Sequence, residues 1–280
     1  MSEARGEALC VIAGAGQLPL QVAQGARASG RDVFVAALKG HAAPADFPGF
    51  EVEIFGVGQL GGLTRALRGR RIREACLIGG VVRPGLQDIK PDFGLVRHLP
   101  ALAGAFGKGD DGLLTGVIRI LESEGLVIRS ALEIAPEATG GQPGPLGARR
   151  PDNAALDAVK LGAQVLAALS PFDVGQAVIV AEGRPVAIEG AEGTDGLLRR
   201  IIDLRAGGRL TKRPGGVLVK APKAGQDMRV DVPTIGPDTV RRAHEAALAG
   251  LAIAAGGVLI AEKARTVALA DELGLFIEAI

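Results

Sequence analysis

The chain has 280 residues, and its 32 Lys+Arg against 31 Asp+Glu give a net charge of +1 at pH 7. This balance argues against a protein that binds nucleic acid through bulk charge. Hydrophobic residues make up 48% and charged residues 22%, which fits a globular core and excludes a largely disordered chain. There is no Trp and no Tyr, so neither a base-stacking platform nor an aromatic membrane belt is expected.

The cysteines indicate a reducing compartment. Cys10 and Cys76 each lie inside an apolar run, which is typical of reduced, buried thiols in a cytoplasmic protein. The three histidines are scattered without the spacing of a zinc site. The first seven residues are polar and charged, so no signal peptide is predicted. The apolar stretch 246–261 is interrupted by two glycines and predicts a helix, a turn and a strand rather than a membrane span.

The N-terminal third alternates short apolar runs with stretches of helical periodicity. The predicted elements, in chain order, are strand 8–13, helix 18–29, strand 33–38, strand 51–55, helix 60–67, strand 75–78, helix 93–103 and helix 113–122. Strands that alternate with helices imply right-handed crossovers and a parallel sheet. We therefore predict an α/β protein whose N-terminal domain, residues 1–135, has a parallel sheet with flanking helices.

Residues 136–151 contain four Pro and four Gly with little apolar content, which predicts a linker. The C-terminal domain, residues 152–280, is predicted to be mixed α/β, with a hairpin near its start. Its predicted elements are helix 153–169, strand 177–181, strand 185–189, helix 196–204, strand 217–220, helix 238–249, strand 258–261, helix 263–272 and strand 275–280.

The loop Gly14-Ala15-Gly16-Gln17 lies between the first strand and the first helix, where helix N–H groups bind phosphate in many α/β folds. As a dinucleotide fingerprint it is poor, because Pro19 replaces the third glycine. The second strand also ends without the acid that would hold a ribose. A loop for a polar ligand and a simple tight turn both remain open.

Two acidic turns precede predicted helices. Lys108 and Asp111 belong to Gly-Lys-Gly-Asp-Asp, and Glu192 and Asp195 belong to Glu-Gly-Thr-Asp, shortly after Glu189. Acidic and hydroxyl residues at these places are typical helix N-caps. They also offer the oxygen ligands that hard cations such as Mg²⁺ prefer, so both interpretations stay open.

Lys220 and Lys223 lie in Lys-Ala-Pro-Lys, and Arg229 and Asp231 alternate with valines in Arg-Val-Asp-Val-Pro. An extended segment would place Arg229 and Asp231 on one face, as in a solvated edge strand. Lysines beside an acid are also what phosphoryl chemistry needs, since cations offset charge and a carboxylate binds metal or orients water.

Taken together, these motifs resemble the LpxI-type UDP-2,3-diacylglucosamine diphosphatases (pyrophosphatases) of lipid A biosynthesis. The matching stretches occur in family order over about residues 8–278: Ile12–Leu20, Val82–Pro84, Gly107–Asp111, Glu192–Arg200, Lys220–Lys223 and Arg229–Gly236. The resemblance implies a Rossmann-like N-terminal domain, a distinct α/β C-terminal domain and a site between them. It also implies metal-dependent hydrolysis of UDP-2,3-diacylglucosamine, with Mg²⁺ or another divalent cation, to UMP and 2,3-diacylglucosamine 1-phosphate (lipid X), with water attacking the β-phosphorus.

The resemblance assigns roles to residues at matching positions. The family's essential acid maps onto Asp231, and the other implied catalytic residues are Asp195, Lys220 and Lys223. The implied metal ligands are Asp231, Glu192 and Asp195. Implied substrate contacts are Gly14, Ala15, Gly16, Gln17, Gly79, Gly80, Lys108, Asp111, Thr194, Gln226 and Arg229.

Other functions remain open on the sequence alone: another nucleotide-sugar hydrolase or transferase, a nicotinamide-dependent oxidoreductase, and a non-catalytic lipid or nucleotide-sugar carrier. Nucleic acid is not an expected partner. The sequence leaves open whether the chain forms a homodimer and whether this cytoplasmic protein contacts the inner membrane peripherally through its lipid substrate.

Overall fold

The computed structural model describes residues 6–82, 90–98, 109–211, 213–229 and 231–280, with the backbone alone described for 109–113. The chain forms two compact units. The first consists of Met1–Ala135 together with Asp227–Asp231, and the second of Pro136–Gln226 together with Val232–Ile280. The second unit is therefore interrupted by five residues that pack with the first.

The first unit is a parallel sheet with the strand order β3-β2-β1-β4-β5. Its described strands are β1 Gly6–Ala13, β2 Arg31–Leu38, β3 Glu51–Phe55, β4 Glu74–Ile78 and β5 Val127–Ile128. Its described helices are α1 Leu18–Ala28, α2 Leu60–Gly69, α3 Phe93–Val96, α4 Gly109–Ser123 and α5 Ala131–Ile134. This order matches the first five positions of the classic Rossmann order, and it confirms the predicted fold class for the N-terminal domain.

Local chemistry explains where these elements lie. The central strands are buried on both faces, as parallel strands covered by helices should be. Pro19 lies in the first turn of α1, where a missing N–H is tolerated. Cys10 in β1 and Cys76 in β4 are free and buried, as predicted, and burial raises the pKa of the Cys76 thiol to about 12. These thiols are therefore core residues rather than nucleophiles.

The second unit is built on a mixed six-stranded sheet with the order β6-β13-β11-β9-β7-β8. Its described strands are β6 Gly144–Pro145, β7 Ala177–Ala181, β8 Arg184–Ile188, β9 Val217–Lys220, β10 Thr234–Ile235, β11 Gly250–Ile253, β12 Leu259–Ile260 and β13 Phe276–Ala279. β9, β11 and β13 are parallel, whereas β6, β7 and β8 run antiparallel to their neighbours. A separate parallel pair joins β10 to β12. The helices are α6 Asn153–Leu169, α7 Gly193–Ala206, α8 Pro237–Glu245 and α9 Lys263–Glu272. The mixed α/β prediction is confirmed.

The Pro/Gly-rich segment 136–151 differs from the predicted linker. Its β6 pairs antiparallel with β13, Leu146 donates a backbone hydrogen bond to Ile277 (2.9 Å), and Thr139 bridges Leu259. β6 is an edge strand, where the missing N–H of Pro145 leaves no ladder bond unmade. Residues 136–151 therefore have the composition of a linker but contribute the edge strand of a sheet.

The apolar run after α8 also differs from its prediction. The helix ends at Glu245 rather than continuing to residue 249, and the unpredicted strand β11 follows it. Alanine favours helix, so residues 246–255 read as helical in isolation. Gly250 is the first residue of β11, and the pairing with β13 requires glycine there, because a Cβ would collide with the ring of Phe276.

Within the described ranges, one stretch, Asn153–Phe172, has the length and apolar composition that a membrane span requires. This stretch contains α6, which packs its buried residues against β7 and β9. Gly162 allows the close approach, since a Cβ there would lie 2.5 Å from a methyl of Val219. The face of α6 toward the sheet is buried at Ala155, Val159, Gly162 and Leu166, but only 22% of the apolar stretch is buried in all.

Candidate functional site

Two turns of the first unit are bonded to each other at the ends of β1 and β4. The N–H of Gly14 donates to the carbonyl of Ile78 (2.8 Å). Ala15 and Gly80 exchange two backbone hydrogen bonds, at 2.8 and 2.9 Å. These bonds lie at the carboxyl edge of the parallel sheet, where α/β proteins bind ligands.

Glycine is required for this close approach. A Cβ on Gly14 would lie 2.7 Å from the carbonyl oxygen of Gly80, and one on Gly79 would lie 2.8 Å from Pro19. Gly79 also has φ +100, a conformation that other residues rarely adopt. Because the N–H groups of Gly14 and Ala15 are already bonded within the protein, these two residues do not form an open phosphate-binding loop. The substrate contacts that the resemblance places on Gly14–Gln17, Gly79 and Gly80 stay predictions.

The segment containing Asp231 is a turn, not the extended strand considered from the sequence. The N–H of Asp231 donates to the carbonyl of Asp227 (3.2 Å). Arg229 contacts both carboxylate oxygens of Asp227 (2.8 and 2.6 Å) and one of Glu122 (2.6 Å). The hydroxyl of Ser130 donates to the carbonyl of Met228 at 2.5 Å. The alternation of charges and valines therefore does not define two faces of a strand here.

Arg229 is engaged in a local charge cluster. Its side-chain hydrogen bonds, despite an opposing effect of burial, lower the pKa of the Asp227 carboxyl. Asp227 and Glu122 together offset the guanidinium charge, so the predicted substrate contact at Arg229 would compete with two carboxylates. In the first unit, Arg229 thus holds the turn that presents Asp231.

Lys108 lies outside the described residues. Asp111 lies in the first turn of α4, which begins at Gly109, but its side chain lies outside what the structure describes. The predicted contacts of Lys108 and Asp111 with substrate stay predictions.

In the second unit, a chain of hydrogen bonds joins four predicted or neighbouring polar residues. The ammonium of Lys220 donates to the hydroxyl of Thr194 (2.7 Å), which donates to Oε1 of Glu189 (2.7 Å). Oε2 of Glu189 accepts from the backbone N–H of Gln176 (2.9 Å). Lys220 is 7% exposed and Glu189 8% exposed. Buried charges are retained only with such partners.

The elements explain why these residues meet. Lys220 is the last residue of β9, Thr194 is the second residue of α7, and Glu189 directly follows β8. β7 lies between β8 and β9 in the sheet, so the ends of these strands are brought to one edge. The structure thus brings together Lys220 and Thr194, two of the predicted site residues, with Glu189 as their third member.

Lys223 and Gln226 define the loop after β9. The side-chain oxygen of Gln226 accepts from the N–H of Lys223 (2.8 Å), which closes the loop on itself. The Lys223 ammonium forms an ion pair with Asp173, and the N–H of Ala224 donates to the hydroxyl of Ser170 (2.5 Å). Lys223 therefore belongs to a different set of contacts from Lys220.

The two other acids at the start of α7 are paired with arginines. Glu192 contacts Arg200 at 2.6 Å, and Asp195 lies 3.3 Å from Nε of Arg242. Among the described residues, no group of three or more His, Cys, Asp or Glu is arranged to hold a metal ion. Glu192 and Asp195 are thus not a preformed cation site, and the metal ligands that the resemblance implies stay a prediction.

Sequence reasoning missed several partners of the predicted residues. Asp227 and Glu122 were not predicted to hold Arg229, nor Asp173 to hold Lys223. Asp227 is two residues from Arg229, a spacing that permits a local ion pair, but Glu122 is 107 residues away. No local pattern signals a pair that depends on how the chain folds back.

The comparisons with known proteins cover nearly the whole chain. Residues 8–138 match the LpxI N-terminal domain, and residues 142–278 match the LpxI C-terminal domain. A protein of Caulobacter vibrioides, named UDP-2,3-diacylglucosamine pyrophosphatase LpxI, is 39% identical over 273 residues, which are 96% of each chain. With both domains matched in order and this identity sustained end to end, the chain belongs to the LpxI family.

Proposed function

We propose that this chain hydrolyses the pyrophosphate bond of UDP-2,3-diacylglucosamine, giving UMP and 2,3-diacylglucosamine 1-phosphate in lipid A biosynthesis. The observation that carries the proposal is the 39% identity, over 96% of both chains, to the relative named for this pyrophosphatase activity. The buried Lys220 at the end of β9 supports the proposal, because a cation at a strand end suits an anionic ligand.

The chemistry sets what the residues must do. A diphosphate repels a nucleophile, so the reaction needs cations near its oxygens and a positioned water. Lys220 and Lys223 offset phosphate charge, with the Lys220 ammonium oriented by the Thr194 hydroxyl. Asp231 orients the attacking water and accepts its proton as the new P–O bond forms. UMP leaves when water attacks the β-phosphorus.

The remaining predicted residues have roles in the same proposal. Lys108 and Asp111 close over the diphosphate. The other substrate contacts are made by Gly14–Gln17, Gly79, Gly80, Thr194, Gln226 and Arg229. The substrate carries two acyl chains, so the protein would meet it at the inner membrane, from the cytoplasmic side.

A divalent cation such as Mg²⁺ is proposed as cofactor. When bound, such an ion offsets phosphate charge and lowers the pKa of a bound water. Since Glu192 and Asp195 are paired with arginines, the described residues do not fit a ready-made site for this ion.

The test is product analysis in H₂¹⁸O. The purified chain is incubated with UDP-2,3-diacylglucosamine, with Mg²⁺ or with a chelator, and the products are identified by mass spectrometry. We expect UMP without label and the sugar 1-phosphate with one ¹⁸O. UDP plus free sugar would indicate another nucleotide-sugar enzyme, and unchanged substrate under all conditions would contradict the proposal.

The sharpest variant is Asp231→Asn, which keeps the shape of the side chain but removes its charge. We expect turnover to fall by about a hundredfold or more, because the water loses its orienting group and proton acceptor. Asp238→Asn is the matched control, since Asp238 is exposed and forms its ion pair with its neighbour Arg241, outside the proposed site. Turnover near the wild-type rate in Asp231→Asn would remove Asp231 from the mechanism.

A further inference from the structure

We propose that Glu189 is a positioning residue for Lys220 and acts through the hydroxyl of Thr194. The inference rests on the proposed function, since it gives Glu189 a role in holding the cation that offsets the diphosphate charge. Nothing in the matched motifs includes Glu189, which lies before the Glu-Gly-Thr-Asp stretch.

The direction of each hydrogen bond follows from the donors available. An ammonium can only donate, and an ionised carboxylate can only accept. Thr194 has one hydroxyl hydrogen, which is given to Glu189, so its oxygen must accept from Lys220. The carboxylate therefore fixes the orientation of the hydroxyl, and the hydroxyl fixes where the ammonium lies.

Glu189 is itself held firmly. Its backbone N–H donates to the carbonyl of Ala177 (2.9 Å), and its Oε2 accepts from the N–H of Gln176. Gly175 lies against its backbone so closely that a Cβ would collide with the Glu189 carbonyl. A carboxylate anchored on both backbone and side chain can set the geometry of a flexible lysine.

The neighbouring acids have other partners. Glu192 pairs with Arg200 and Asp195 with Arg242. Glu189 contacts the lysine network through a buried hydroxyl, whereas Asp195 keeps more than half of its side chain exposed. The three acids lie close together in the sequence, but each has a different partner in the fold.

The variant Glu189→Gln tests the positioning role while leaving the structural bond to Gln176 in place. The N–H of Gln176 needs an oxygen, so the amide oxygen takes the Oε2 place and the NH₂ group faces Thr194. The NH₂ then donates to Thr194, whose hydroxyl hydrogen must turn away and disturb the bond from Lys220. We expect kcat to fall about tenfold with a smaller change in KM, while the melting temperature changes little because the Gln176 bond is kept.

A double-mutant cycle tests the route through the hydroxyl. In a Thr194→Val background, Glu189→Gln should reduce kcat no further, because the group through which it acts is gone. Glu272→Gln, an exposed acid of α9, is the control and should leave kcat unchanged. A wild-type kcat in Glu189→Gln, or effects of the two substitutions that multiply, would overturn the inference.

A measurement independent of turnover distinguishes failure of this inference from failure of the proposed function. The ¹⁵N signal of the Lys220 ammonium should be observable by NMR in the wild-type chain, since burial and hydrogen bonding slow its proton exchange. We expect the signal to broaden or vanish in Glu189→Gln and to persist in Glu272→Gln. An unchanged signal in Glu189→Gln overturns the inference, whether or not the chain hydrolyses UDP-2,3-diacylglucosamine.

Discussion

Glu74 in the first unit and Glu189 in the second are both buried glutamates at an edge of a sheet, but their partners differ. Glu74 is the first residue of β4, and Arg31 (2.5 Å) and Arg129 contact its two oxygens directly. Glu189 lies at the end of β8 and meets a backbone N–H and a hydroxyl instead.

From this difference in partners we infer different roles: Glu74 stabilises the fold, whereas Glu189 positions a group of the proposed site. Around Glu74 one carboxylate contacts two guanidinium groups directly, at the amino end of a parallel strand. Around Glu189 a neutral hydroxyl stands between the carboxylate and Lys220, so the carboxylate acts on the ammonium through that oxygen. In α/β sheets the carboxyl ends of strands are where ligands bind, and Lys220 lies at such an end.

The largest effect is expected from replacing Lys220, the lysine that Glu189 positions in our proposal. Lys220→Met keeps the length of the side chain and removes its charge, so we expect kcat for the diphosphate to fall about a hundredfold, as when one preorganised donor is lost. Lys160→Met, on the exposed side of α6, is the matched control. Steady-state kinetics measure both, and a Lys220→Met enzyme with more than half of the wild-type kcat would place that lysine outside the reaction.

Glu74→Gln should have the opposite profile. Two arginines lose their buried counter-charge, so the free energy of unfolding should fall by about 2 kcal/mol while kcat stays within a factor of about two. Urea unfolding followed by far-UV circular dichroism is the suitable measurement, because the chain has neither Trp nor Tyr for fluorescence. A large loss of kcat without loss of stability would show that the two glutamates are not distinguished by their place in the sheet.

The smallest effect expected is on the pH dependence of stability. The hydrogen bond from Arg129, opposed by burial and reinforced by Arg31, lowers the pKa of Glu74 from its ordinary value of 4.5. A lowered pKa means that the stabilisation is complete above pH 4.5 and is lost as the pH falls through the folded-state pKa. The difference in melting temperature between wild type and Glu74→Gln should therefore shrink in acid, and a constant difference from pH 7 to pH 3 would contradict this origin.

The parallel sheet of the first unit could be predicted because its strands are apolar runs that alternate with periodic helices. β11 could not, since it lies in an alanine-rich run that favours helix, and the close contact of Gly250 is with Phe276, far along the chain. Likewise, the motifs predicted Lys220 and Thr194, but the bond between them depends on how β9 and α7 are placed by the sheet.

The site residues also show which information a local pattern lacks. Glu189 was visible as one of three acids in seven residues, yet nothing in that spacing distinguished it from Glu192 or Asp195. Their burial and partners do, and both depend on tertiary structure. The alternation around Asp231 misled in the same way, because a turn bonded to Asp227 overrides a strand-like pattern.

The return of residues 227–231 to the first unit has a consequence for how this protein could have evolved. A gene fragment that encodes residues 1–135 would lack the turn 227–231, which bonds to Ser130 and Glu122. Transfer of that fragment alone would therefore give an incomplete first unit. Recombination that exchanges one half of the gene for a foreign sequence would therefore be selected against. The two halves are expected to be inherited as a pair.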